Sequence, residues 1–202
     1  MKIYELAPAP SARRVSIFLA EKGITVDREN VDIRGGENLS EAFIAKAVNG
    51  RIPVLELDDG TTICESVAIC RYFEELYPEK MPLFGGTALE KANVEMWHRV
   101  VELEGLFVAF QSFRNITGIY KDRETCSEEW GQISLDRLKA FLPKLEKQLG
   151  STTYIAGDFF SIVDITAFVM FGFAKNLEVV IDDSLPNTQR WFELVSERPS
   201  VQ

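Results

Sequence analysis

The sequence predicts a small α/β domain followed by an all-helical domain, and three observations carry that reading. Strand-like and helix-like segments alternate up to Tyr77. Beyond Ala88, apolar residues recur only at helical spacing. Between the two, Pro78 to Gly86 holds two prolines and two glycines and reads as a linker. The expected boundaries are residues 1–77, a linker at 78–87, and residues 88–202.

In chain order, Lys2 to Leu6 reads as a short strand, stopped by the APAP run from Ala7 to Pro10 because proline cannot continue a ladder. From Ser11 the period becomes helical, with Val15, Phe18 and Leu19 on one face and Gly23 as the stop. Thr25 to Ile33 is a second strand, closed by Gly35-Gly36, and Leu39 to Val48 is a brief helix. After the Asn49-Gly50 turn comes an Ile-Pro step. Two strands around Asp59-Gly60 then form a hairpin, and a helix runs from Ser66 to Leu76. The order βαβαββα, with an Ile-Pro step opening the third strand, is the arrangement of a thioredoxin-like fold.

The stretch from Asn49 to Ser66 also has the composition of a binding site. If the Ile52-Pro53 bond is cis, the backbone of Ile52 is turned out of the sheet and offers its N–H and C=O to an extended ligand. Ser66, opening a helix, supplies a hydroxyl and unpaired amides suited to a carboxylate. Glu65 suits an amine, and Arg51 a second carboxylate. One amine, an extended peptide and two carboxylates describe glutathione.

The second half is helical throughout. Ala88 to about Asn115 reads as one long helix in which Gly105 marks a bend, and Gly118 to Glu124 as a loop. Trp130 to Leu149 reads as another helix, with a kink expected at Pro143. Ser161 and Asp164 are spaced as a capping box before a helix apolar nearly all round, hence buried. That pair is folding chemistry rather than catalysis.

Composition narrows the function. The formal charge is −9, with 9 basic and 14 acidic residues in 1–79 and 13 and 17 in 80–202, so neither half offers the basic surface that nucleic acid needs. No run is long and apolar enough to span a bilayer, and the start MKIYELAPAP lacks the order of a signal peptide, which places the chain in the cytoplasm. Three cysteines, Cys64, Cys70 and Cys126, suggest neither a disulfide framework nor a metal site, and read as reduced, mostly buried thiols.

Four segments together resemble the cytosolic glutathione transferases, in a bacterial, theta-like form: ARRVSIFLAEKGI (Ala12 to Ile24), NGRIPVLELDDG (Asn49 to Gly60), the Glu65-Ser66 pair, and AGDFFSIVDITAF (Ala156 to Phe168). The resemblance covers essentially the whole chain. It implies a thioredoxin-like glutathione-binding domain, an all-helical domain and a homodimer, with no metal, nucleic-acid or membrane partner. It also implies that Ile52, ahead of Pro53, pairs its backbone with glutathione. Glu65 and Ser66 then hold the γ-glutamyl end, and Arg51 lies near the glycyl carboxylate. The activity implied is detoxification by conjugating the glutathione thiolate to small hydrophobic electrophiles. Dehalogenase and peroxidase chemistries occur in the same family.

At the catalytic position this chain departs from the family. A serine or cysteine is expected just ahead of the proline opening the first helix, where this chain has Ala9. Ser11 is the first substitute, against the plain reading that it is only the N-cap. Ser112 is the second, acting from the long helix through a water. Tyr4 and His98 read as packing residues. The electrophile is expected between the domains, against Pro8, Phe110, Phe113 and Tyr120. A binding or regulatory protein without turnover is the alternative that Ala9 permits.

Overall fold

In the first strand, β1 (Lys2–Glu5), Ile3 and Glu5 are buried while Lys2 and Tyr4 are half-exposed, the alternation that a pleated strand imposes. The APAP run then turns the chain: Ala9 N–H donates to Leu6 O at 2.8 Å, and Pro10 opens α1 (Pro10–Glu21). Proline fits there because its fixed φ suits the first helical position and its missing N–H is one the helix could not have paired. The N-cap is therefore Ala9, and Ser11 is the second helical residue rather than the cap.

The sheet order is β2-β1-β3-β4, with β1 and β2 parallel and the other pairs antiparallel. β2 is short (Asp27–Asn30) and wholly exposed. Of the apolar residues that suggested a longer strand, Val31 and Ile33, the first lies just past its end, buried, with its N–H on Glu5 O. The expected helix from Leu39 to Val48 is only α2 (Glu41–Ile44), because the Ser40 hydroxyl accepts Phe43 N–H and starts the turn afresh after a 3₁₀ turn at Glu37–Leu39. Phe43 and Ala47 pack with Val31 and Val54, and Tyr4, Ile52 and Cys64 complete that core. β3 (Val54–Glu56) and β4 (Thr62–Cys64) form the hairpin, and α3 (Ser66–Leu76) follows. A buried ion pair of 2.8 Å between Lys22 and Glu74 links α1 to α3. The result is the thioredoxin-like βαβαββα order.

The computed structural model describes residues 1–202 and separates into two units, Met1–Leu83 and Phe84–Gln202. In the second, the single long helix becomes α4 (Ala88–Val100), a π-helical stretch at Val101–Leu106, and α5 (Phe107–Thr117). Gly105 lies in the π stretch, where a Cβ would stand 2.4 Å from Met170 Sδ and 3.0 Å from the Phe141 ring. Close approach is what requires glycine there. The next helix, α6 (Glu128–Leu149), starts at a Ser127 cap and runs unbroken through Pro143.

α7 (Ile162–Ala174) is buried nearly all round, as its sequence predicts, behind the Ser161/Asp164 capping box. α8 (Pro186–Ser196) completes the unit. Of the three free cysteines only Cys70 is buried; Cys64 and Cys126 are half-buried, which corrects the expectation that most would be. No helix is long and apolar enough to cross a membrane.

Candidate functional site

Every helix start has three or four backbone N–H groups with no partner in the helix, and most starts here satisfy them with a side chain. Ser40 caps α2, Thr87 caps α4, Ser127 caps α6 and Ser161 caps α7. α8 is capped from a distance: Glu146 accepts Asn187 N–H at 2.9 Å and Thr188 N–H at 2.8 Å. α5 continues out of the π stretch. That leaves α1 and α3, which have no side-chain cap and no acidic residue in the first turn.

At α1, Arg13 N–H donates to Ala9 O at 2.9 Å, which leaves the amides of Ser11 and Ala12 open. At α3, Ile69 N–H donates to Glu65 O at 3.0 Å, which leaves Ser66, Val67 and Ala68. Both open ends belong to the α/β unit, and both attract anions.

The second uncapped start adjoins the hairpin. Ile52-Pro53 is cis, and Ile52 lies outside the β1·β3 register, which begins at Tyr4↔Val54. Pro53 and Ser66 are buried, Ile52 is half-buried, and Arg51 and Glu65 are exposed. Glu65 sits at φ 67°, ψ 121°, a conformation that strains a residue with a Cβ by roughly 1–3 kcal/mol. Its carboxylate is held by Asn49, whose Nδ2 donates to Glu65 Oε1 at 2.8 Å. Arg51, Ile52, Pro53, Glu65 and Ser66 are thus drawn together by one turn, one hairpin and one helix start. Asn49 escaped the sequence reading, where it signalled only a turn.

The remaining expected residues are placed differently. Ser11 is half-exposed in the first turn of α1, and Pro8 is exposed. Ser112 is 0% exposed and its hydroxyl has no hydrogen-bond partner in the protein. Phe110 and Phe113 are half-buried and pack edge-on against Phe173, with centroids 4.9 and 5.2 Å away.

Tyr120 is half-buried, with the guanidinium groups of Arg114 and Arg123 at 4.8 and 5.7 Å from its ring. His98 is buried with Nε2 3.0 Å from Thr166 Oγ1, and Tyr4 donates to Glu56 at 2.8 Å; both are packing residues, as read from the sequence.

A thioredoxin-like unit with a proline-opened hairpin and two uncapped helix starts, followed by an all-helical unit, is the class of fold that these elements define. Comparison with known proteins narrows this. The model for the glutathione S-transferase N-terminal domain matches residues 9–76, and that for the C-terminal domain matches residues 111–199. A class Gtt2 glutathione S-transferase of Vibrio parahaemolyticus superposes with TM-score 0.89 at 51% identity, covering 100% of this chain and 96% of that one. A glutathione S-transferase domain-containing protein of Marinobacter aquaeolei superposes with TM-score 0.96 at 33% identity, covering 100% of both chains. Glutathione S-transferase 2 of Saccharomyces cerevisiae is 34% identical over 207 residues, spanning 100% of this chain and 88% of the relative. The chain belongs to the glutathione S-transferase family and is a transferase of Gtt2-like type.

Proposed function

We propose that the enzyme binds glutathione along the Arg51–Ser66 stretch and conjugates its thiolate to small hydrophobic electrophiles. The observation that carries this is the pair of uncapped helix starts in a unit that forms its other cap in the ordinary way. An open start before α3, with Glu65 strained beside it, suits the γ-glutamyl end. The carboxylate of that end takes the Ser66 hydroxyl and the α3 amides, and its amine takes Glu65. Ile52, turned out of the ladder ahead of Pro53, pairs with the peptide, and Arg51 meets the glycyl carboxylate.

The second open start, at α1, suits the sulfur. A free thiol titrates at about 8.5, so attack at neutral pH requires the anion to be stabilised selectively. Ser11 supplies a hydroxyl and an open amide in that first turn, and a charge-assisted hydrogen bond there lowers the thiol pKa. The thiolate then attacks the electrophilic carbon, forms the C–S bond and expels the leaving group with its electron pair. The half-buried aromatic group of Phe110, Phe113 and Phe173 supports an apolar electrophile.

The apolar residues Leu89, Met96, Leu103 and Phe107 are exposed along α4 and its continuation at the seven- and four-residue steps of a helix seam. They support assembly as a homodimer, which light scattering tests with Leu103→Glu. The function itself is tested by calorimetry with glutathione and by turnover of 1-chloro-2,4-dinitrobenzene. Saturable binding with turnover is expected. Absence of binding at millimolar glutathione defeats the proposal.

A further inference from the structure

The side chain of Asn49 is engaged at both of its polar atoms. Nδ2 donates to Glu65 Oε1 at 2.8 Å, and Oδ1 accepts the N–H of Arg51 at 3.1 Å. One amide therefore joins the two ends of the stretch that the proposed function assigns to glutathione. The turn that carries it is itself fixed, since Asn38 Nδ2 donates to Gly50 O at 2.6 Å. Gly50 adopts φ 60°, and a Cβ there would stand 3.2 Å from Asn38 O.

The chemistry of the donor matters. An exposed glutamate has several rotamers, and a hydrogen bond to one oxygen selects among them. An amide donor does so without cancelling the carboxylate charge, whereas lysine or arginine at the same place would form an ion pair and compete with an incoming ammonium. Oε2 of Glu65 remains open for that ammonium. The left-handed backbone of Glu65 brings the carboxylate beside the uncapped α3 start, and Asn49 then fixes its direction.

We infer that Asn49 is a positioning residue for glutathione, aiming Glu65 at the γ-glutamyl amine while holding the backbone of Arg51. The inference rests on the proposed mode of glutathione binding. Its test is calorimetry on the full chain with two ligands: glutathione, and the same tripeptide with glutaryl in place of γ-glutamyl, which lacks only the amine. Asn49→Ala should weaken glutathione about tenfold, the size of one hydrogen bond to a charged group, and the amine-free analogue by less than about twofold, since only the hold on the Arg51 backbone is lost to it. Asn49→Asp should be worse than Asn49→Ala, because two carboxylates then face each other.

In a Glu65→Gln background the further loss from Asn49→Ala should shrink below twofold, the signature of residues acting as a pair. With 1-chloro-2,4-dinitrobenzene, the KM for glutathione should rise while kcat at saturating glutathione stays within twofold. Equal losses for both ligands would assign Asn49 a merely structural role and overturn the inference, as would an unchanged affinity for glutathione. If the unaltered protein binds no glutathione, the proposed function falls and this inference with it. If it binds and Asn49→Ala binds equally well, only the inference falls.

Discussion

Trp191 Nε1 donates to Asp164 Oδ1 at 2.9 Å, tying α8 to the first turn of α7. The same oxygen accepts Ile155 N–H at 3.0 Å, while Oδ2 accepts Ser161 N–H at 2.9 Å and its hydroxyl at 3.0 Å. Four donors meet one fully buried carboxylate. Asp164→Ala strands all four and should cost about 3 kcal/mol or more, whereas Trp191→Phe removes one and should cost roughly half as much. Urea unfolding measures both; a loss below about 1 kcal/mol for Asp164→Ala would contradict the hub role.

The same residue sets a pH dependence of definite sign. Burial pushes the Asp164 carboxyl up to about 6, and its hydrogen bonds, led by those from Ile155 and Trp191, pull down without cancelling that rise. Between the ordinary aspartate value and about 6 the folded protein binds more protons than the unfolded chain at this site. This contribution is therefore complete below the ordinary value and is lost as pH rises through about 6. It amounts to roughly 3 kcal/mol across that window. In Asp164→Asn the term is absent, so the stability difference between the two proteins should depend on pH across this range. A difference that stays flat from pH 4 to 7 would refute it.

Glu146 behaves in the opposite sense. Burial raises its pKa, but donors from Asn187 and Thr188 outweigh that and hold the carboxyl below the usual glutamate range. Its contribution is present above the ordinary value and is lost as pH falls through the depressed one. Glu146→Gln keeps the shape but turns an N–H₂ toward one of the two helix amides and its side-chain neighbour, and should cost about 1–2 kcal/mol at neutral pH. The gap from the unaltered protein should narrow in acid, as thermal melts at pH 3 and 7 will show.

Gly105 predicts a packing cost. The Cβ of Gly105→Ala would press on Met170 Sδ and the Phe141 ring, both fully or nearly fully buried, so neither can retreat into solvent. Such overpacking costs about 1–3 kcal/mol, readable as a lowered Tm. An unchanged Tm would mean that Met170 repacks freely.

What the sequence disclosed follows from where the information is local. The Ser161/Asp164 box, the Asp59-Gly60 hairpin and the Ile52-Pro53 step are short-range patterns, and each stands where its spacing puts it. The glutathione S-transferase family was legible from four such segments in order. The cap on α8 was not, because Glu146 reaches it from 41 residues away. Nor was Asn49, whose partner Glu65 is 16 residues on and meets it only once the hairpin has closed. Periodicity also hid the π stretch, since apolar spacing cannot distinguish one extra residue per turn over a single turn.

Ser11 and Ser112 make opposite predictions. Ser11 lies in an uncapped first turn, where its hydroxyl and amide face no competing acceptor within the helix. Removing a donor to a developing anion typically costs about 10²- to 10³-fold, but Ser11→Ala keeps both open amides of α1, so a fall in kcat of roughly ten- to a hundredfold is expected. The pH at which bound glutathione ionises should rise at the same time, which ultraviolet difference spectra of the thiolate would record.

The Ser112 hydroxyl is buried without a protein partner, so its removal relieves a desolvated polar group. Ser112→Ala should therefore hold or raise the Tm and leave kcat within about twofold of the unaltered enzyme. If instead Ser112→Ala abolishes turnover while Ser11→Ala does not, the sulfur is stabilised from α5 and the open end of α1 serves only in binding.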